Sequence, residues 1–96
     1  MNNKVEEELF KNIKQSIDAF QESLKQQMPA IEAEVNQLIN SKNQNTKTIE
    51  LTLDILLSIS SLGIGEHLFI KLLEYYKTVD EDGAAFYWNE YDKEHD

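Results

Sequence analysis

With 96 residues, no cysteine and a formal net charge of −9, the chain has the size of one small domain and neither disulfides nor thiolate metal ligands to hold it. All nine basic residues are lysine. That removes the side chain best suited to bidentate phosphate contacts, and the acidic balance repels a polyanion, so no nucleic-acid partner is expected. The opening MNNKVEEELF is acidic rather than the basic start of a cleaved leader, and no run of ~20 nearly uncharged residues marks a membrane span. A cytoplasmic protein is expected, with export by a route needing no cleaved signal left open.

From Val5 onward, Leu9/Phe10, Ile13, Ile17, Phe20 and Leu24 recur at steps of three and four, the apolar stripe of an amphipathic helix. Pro29 interrupts it. At ~100° per residue, however, Met28, Ile31, Val35 and Leu38 keep the phase of Phe10 to Leu24. Two readings fit. One long helix is kinked near Met28–Pro29, or Pro29 opens a second helix at its first position. The retained phase favours the first, and residues 4–40 are helical on both. Ser41 to Thr48 (SKNQNTKT) has no apolar residue and reads as a loop, with Asn45 or Thr46 placed to cap the next helix.

Residues 49–73 hold 14 of the 27 Leu, Ile, Val and Phe residues of the chain, so the core is centred there. Ile49, Leu51, Leu53, Ile55, Leu57 and Ile59 alternate as in a strand. Glu50, Asp54, Ser58 and Ser61 also form one narrow polar stripe on a helix. A strand of such length is longer than most, and no other segment could pair with it; a helix buried nearly all round is expected. Gly63-Ile64-Gly65 should end it, with Gly63 left-handed and Gly65 opening the next helix. That helix is read from Glu66 to about Lys77, with Leu68, Phe69, Leu72, Leu73 and Tyr76 inward and His67, Lys71, Glu74 and Thr78 outward. Asp80-Glu81-Asp82-Gly83 reads as a turn, Ala84 to about Lys93 as a short last helix, and residues 94–96 as a frayed acidic tail.

The sum is an all-α small helical bundle: one domain, with a long N-terminal helix, a buried central helix and two shorter C-terminal helices. Because the stripe of the first helix is narrow, a homodimer is a further expectation.

No set of residues spells out catalysis. His67 has no Ser or Cys nucleophile in a familiar pattern near it, and His95 sits in the charged tail; the chain is read as not an enzyme. Aligning Gly83 with the glycine of an EF-hand loop puts Asp80 and Asp82 at ligand positions. It then leaves Ala85 and Asn89 where a core aliphatic and a bidentate Glu belong. No metal or other cofactor is expected. GIG is preceded by a helix and followed by no Lys-Ser/Thr, so it is no phosphate loop.

The distinctive feature is the C-terminal end. Six of nine aromatics (Tyr75, Tyr76, Phe86, Tyr87, Trp88, Tyr91) lie beyond residue 74, and residues 78–96 carry seven acids against one lysine. Tyr and Trp give large contact area at low entropy cost. Among carboxylates they suit a partner protein with a basic surface, and Tyr87, Trp88, Tyr91, Asp80, Asp82 and Glu90 are the candidate partner-binding residues. Tyr87 and Trp88 are the two expected to be most exposed. The competing expectation is that Phe86, Trp88 and Tyr91 dock back and close the core. An inhibitor, immunity or antitoxin-like protein fits the first, and a structural or assembly subunit is an alternative.

In length, acidity and helix–loop–helix layout, with Tyr76-Lys-Thr-Val-Asp80 matching a Tyr-x-x-x-Asp/Glu export signal, the chain also resembles the WXG100-type proteins exported by type VII secretion. The resemblance would imply a secreted helical protein. The central loop, however, lacks Trp-x-Gly.

Overall fold

The structure, a computed structural model, describes residues 2–94, with side-chain environments from Lys4 onward. The tail beyond Glu94, including His95, lies outside the described residues. Four helices succeed one another: α1 (Asn2–Asn40), α2 (Thr46–Ser60), α3 (Glu66–Val79) and α4 (Glu81–Glu94). The described residues contain no strand.

A single helix, α1, runs through Pro29. Proline removes one helix donor and crowds the carbonyl four residues back. Here Lys25 and Pro29 are both exposed, so water can take the freed carbonyl. The α1–α2 connection is shorter than the eight residues expected. Asn45 caps α2 by accepting from the Lys47 and Thr48 amides at 3.1 and 3.3 Å, and helix begins at Thr46. The expected turn at Asp80–Gly83 also contracts, to Asp80 alone. The Asp80 carboxylate accepts from the Gly83 amide at 3.0 Å and its carbonyl from the Ala84 amide at 3.0 Å, which is N-terminal capping geometry. The last helix therefore starts three residues before Ala84.

The order is up-down-up-down, legible from which residues meet. Lys71 donates to Asn36 at 2.6 Å and the Tyr75 hydroxyl to the Asn43 carbonyl at 2.6 Å, so α3 runs parallel to α1. Tyr76, late in α3, reaches Glu50, early in α2. Tyr91, late in α4, reaches Glu66 at the start of α3. Both of those pairs are antiparallel.

Helix α3 packs against each of the other three and buries Leu68, Phe69, Leu72, Leu73 and Tyr76, the inward set read from the sequence. Helix α2 is less enclosed than expected. It buries Ile49, Leu53, Leu56 and Ile59, while Leu51 and Ile55 stay exposed. The reason is that α2 lies to one side of α3, so one flank has no neighbour. Gly63 has φ +76 in the α2–α3 turn, a left-handed conformation that is costly for any residue with a Cβ.

The molecule is elongated, 60 × 27 × 19 Å, with a radius of gyration of 17.1 Å against about 12.5 Å for a compact chain of this length. Helix α1 accounts for the difference. Its 39 residues span about 58 Å, whereas helices of 14 or 15 residues span about 21–23 Å. The core takes Val35 and Leu38 fully and Leu24, Met28, Ile31 and Ile39 in part. Val5 to Phe20 project beyond the α2–α3 turn.

Gly83 offers a test in which the ordinary helix rule reverses. Gly→Ala inside a helix normally stabilises by about 1 kcal/mol. A Cβ at Gly83 would lie 2.7 Å from the Tyr76 hydroxyl and 3.0 Å from an Asp80 carboxylate oxygen. Gly83→Ala should instead destabilise by about 1–3 kcal/mol, read from urea unfolding; a gain in stability would contradict the packing described.

Candidate functional site

The helices are cross-linked by tyrosine hydroxyls donating to carboxylates. Tyr76, wholly buried, donates to Glu50 Oε2 at 2.6 Å. Tyr87 donates to Asp54 Oδ1 at 2.7 Å, and Tyr91 to Glu66. Glu50, half-buried, and Asp54, exposed, lie on the polar stripe of α2 and accept charge-assisted hydrogen bonds from the phenols of α3 and α4. The rings support one another: Tyr76 and Tyr87 meet edge to face with centroids 6.5 Å apart. Burial, then the hydrogen bond and charge of Glu50, push the Tyr76 phenol well above its ordinary value. Burial, then Asp54 and Glu50, do the same for Tyr87.

These contacts redistribute the candidate partner-binding residues. Tyr87 was expected to be exposed and is 5% exposed, its ring packed in the core and its hydroxyl held by Asp54. Tyr91 is likewise buried, stacked on Phe69 at 5.3 Å. Asp80 is occupied as the cap of α4. Asp82 is exposed, and Glu90 is half-buried beside Lys93 at 3.4 Å. Glu90 lies about 200° round the helix from Trp88. The six residues therefore do not form one surface, and of the aromatics among them only Trp88, 45% exposed, faces out. Phe86 is exposed on the opposite side of α4.

What Trp88 faces is a shallow groove of about 350 Å³ between α3 and α4, lined by Leu73, Glu74, Lys77, Glu81, Ala84, Ala85 and Trp88. The indole stacks on Tyr91 at 5.7 Å and 20°, and Tyr91 stacks in turn on Phe69. Trp88 is thus held in place before any partner arrives, which lowers the entropy cost of using it as an anchor. Glu74 and Glu81 were not among the residues singled out from the sequence. They join Trp88 only because α3 and α4 run antiparallel.

The second surface is the projecting half of α1. Val5, Leu9, Phe10, Ile13, Ile17 and Phe20 are 50–71% exposed, along one face. Full burial of such a side chain stabilises by about 1.5–3 kcal/mol, so roughly 5–10 kcal/mol of apolar burial is unrealised on this arm. Soluble monomers rarely expose a large contiguous apolar patch. The stripe itself was legible in the sequence. That nothing among the described residues covers it follows from the mismatch between a helix of about 58 Å and partners less than half as long.

The described residues contain no cluster of three or more His, Cys, Asp or Glu able to hold a metal ion, and His67 is exposed. No helix among them is long and apolar enough to cross a membrane. Both residues of the Tyr76–Asp80 pair are engaged within the fold, one buried against Glu50 and the other capping α4. No protein-family model matches the chain, and comparisons with curated proteins and with solved structures find no match either.

The tyrosine–carboxylate links make a pH prediction. The native state holds the Tyr76 and Tyr87 protons more tightly than the unfolded chain, whose phenols titrate near pH 10. Their contribution is complete below that pH and is lost as pH rises through the higher native values. Tyr76→Phe and Tyr87→Phe should each lower stability at neutral pH by about 1–3 kcal/mol. Each should also flatten the fall in melting temperature between about pH 9 and 11, measured by circular dichroism.

Proposed function

We propose that this chain is a non-enzymatic binding protein of the inhibitor, immunity or antitoxin-like kind, and that it receives a basic, partly apolar segment of another protein in the α3–α4 groove. The observation that carries the reading is a single tryptophan held half-exposed at the edge of that groove by stacking on Tyr91. Apolar floor and acidic rim are both present. Leu73, Ala84 and Ala85 supply the first, and Glu74 and Glu81 the second, with Lys77 offsetting one charge. A net of −6 over residues 78–96, seven acids and one lysine, adds a field that attracts a basic partner and repels an acidic one.

The charges would govern association rate and specificity, whereas the indole would supply the affinity. Burial of an already oriented ring costs little order. Exposed carboxylates exchange water for a lysine or arginine with small net gain. This division gives the partner a chemistry: an apolar side chain to lie against Trp88 and cations on either side of it.

Trp88 is the only tryptophan, so its fluorescence reports on the groove directly. A helical peptide of leucine and lysine should shift its emission to the blue, while the glutamate-for-lysine analogue should leave it unchanged. Trp88→Ala should weaken peptide binding about tenfold or more by calorimetry. The double variant Glu74→Gln, Glu81→Gln should lower the salt dependence. Equal affinity in Trp88→Ala, or equal binding of the acidic analogue, would dispose of the groove as the binding site.

A further inference from the structure

We infer, on the footing that the α3–α4 groove is the binding site proposed above, that Lys77 selects what enters it. The segment admitted is a helix carrying a carboxylate and a cation three residues apart, the carboxylate set against Lys77 and the cation against Glu74. Three charges line the groove, Glu74 and Lys77 from α3 and Glu81 from α4. Among the described residues only Lys93 and Glu90 form an ion pair, so Lys77 meets neither acid. All three side chains are exposed and solvated while the groove is open.

A segment lying in the groove takes that water away. An ammonium covered without an acceptor is costly, and a cation set beside it is repelled. A uniformly basic segment satisfies Glu74 and Glu81 but leaves Lys77 facing like charge. A segment with one acid opposite Lys77 satisfies all three. Lys77 also stands in the last turn of α3, where a cation favours the helix end. That role is local to α3 and indifferent to the order of charges in a bound segment.

The spacing follows from the hairpin. Helices α3 and α4 run antiparallel and join through Asp80. From the helical rise, Glu81, Lys77, Glu74 and Trp88 lie about 1.5, 4.5, 9 and 12 Å along the groove from Asp80. Negative, positive and negative charge thus alternate from the closed end, and the indole follows. Lys77 and Glu74 differ in level by about 4.5 Å, the rise between positions i and i+3 of a helix. In a strand, side chains on one face recur only every 6.6 Å or about that, which does not match. Between Glu81 and Trp88 the groove is lined on α4 by Ala84 and Ala85, side chains short enough for a helix to lie close. An apolar side chain of that helix reaches Trp88 just beyond the cation at Glu74, and a second cation at the closed end meets Glu81.

Two sets of helical peptides share one composition, with leucines along one face and a single glutamate among lysines. In the first set the glutamate stands on the leucine face three residues from a lysine, in either order. In the second it is moved to the opposite face. By calorimetry the full chain should bind the better peptide of the first set roughly three- to fivefold more tightly than the second. Both sets should shift Trp88 emission to the blue. Lys77→Glu should reverse the preference and Lys77→Gln should abolish it, with helix content by circular dichroism unchanged. Equal affinity of the wild-type chain for the two sets would overturn the selection, as would a preference that survives Lys77→Glu. In both cases the blue shift, with weaker binding in Trp88→Ala, leaves the groove standing as the site. No shift with any peptide would overturn groove and selection together.

Discussion

The arrangement of the bundle depends on Tyr76. Its ring is wholly buried on α3, which packs against the other three helices, and its hydroxyl ends on Glu50 of α2. A phenol in an apolar core is costly unless its hydroxyl is paired, and half-buried Glu50 supplies the acceptor at the edge of the core. Gly83 completes the fit, because only a residue without a Cβ lets α4 start so close to the hydroxyl. The approach of α4, the capping by Asp80 and the position of the groove all stem from that contact.

Tyrosine carries the inter-helix polar contacts of this small core more generally. Tyr75 reaches the α1–α2 loop, Tyr87 reaches Asp54 and Tyr91 reaches Glu66. A domain of this size has little apolar surface to bury, and a tyrosine adds a large ring to the core while its polar end meets a group at the rim. The aromatic richness of the C-terminal third is therefore mostly structural, and Trp88 and Phe86 are the members of the set left outside, on opposite sides of α4. The Trp88 ring caps the stack of Phe69 and Tyr91, so the same contacts that close the core also orient the surface residue.

The two apolar surfaces differ in chemistry and position. The groove between α3 and α4 is small and acid-rimmed, and it is formed by two antiparallel helices joined through Asp80 alone. The arm of α1 is long, carries three lysines against five acids over residues 2–24, and is exposed at every residue from Lys4 to Phe20. The first has the apolar floor and acidic rim that the proposed basic partner calls for, and the second is an apolar stripe one helix wide.

Much was legible from residue order alone. The 3.6-residue periodicity of α1, the inward set of α3 and the glycine break between α2 and α3 are local signals, and local signals survive into the fold. The retained phase across Pro29 pointed to one helix because a reversal has no reason to preserve it. What residue order left open were the questions answered by neighbours. Tyr87 and Trp88 are adjacent and similar in character, yet one is core and the other surface, because about 100° of helix rotation separates the side facing α3 from the side facing the groove. Glu50 and Asp54 read as a solvent stripe, and Asp54 is exposed, but the tyrosines of α3 and α4 that pair with them lie far along the chain and leave no local signal. The sequence by itself determined the helices and their apolar faces, since those depend on spacing along the chain. Only the tertiary structure decided which faces are covered, since that depends on how far three short helices can reach along a long one.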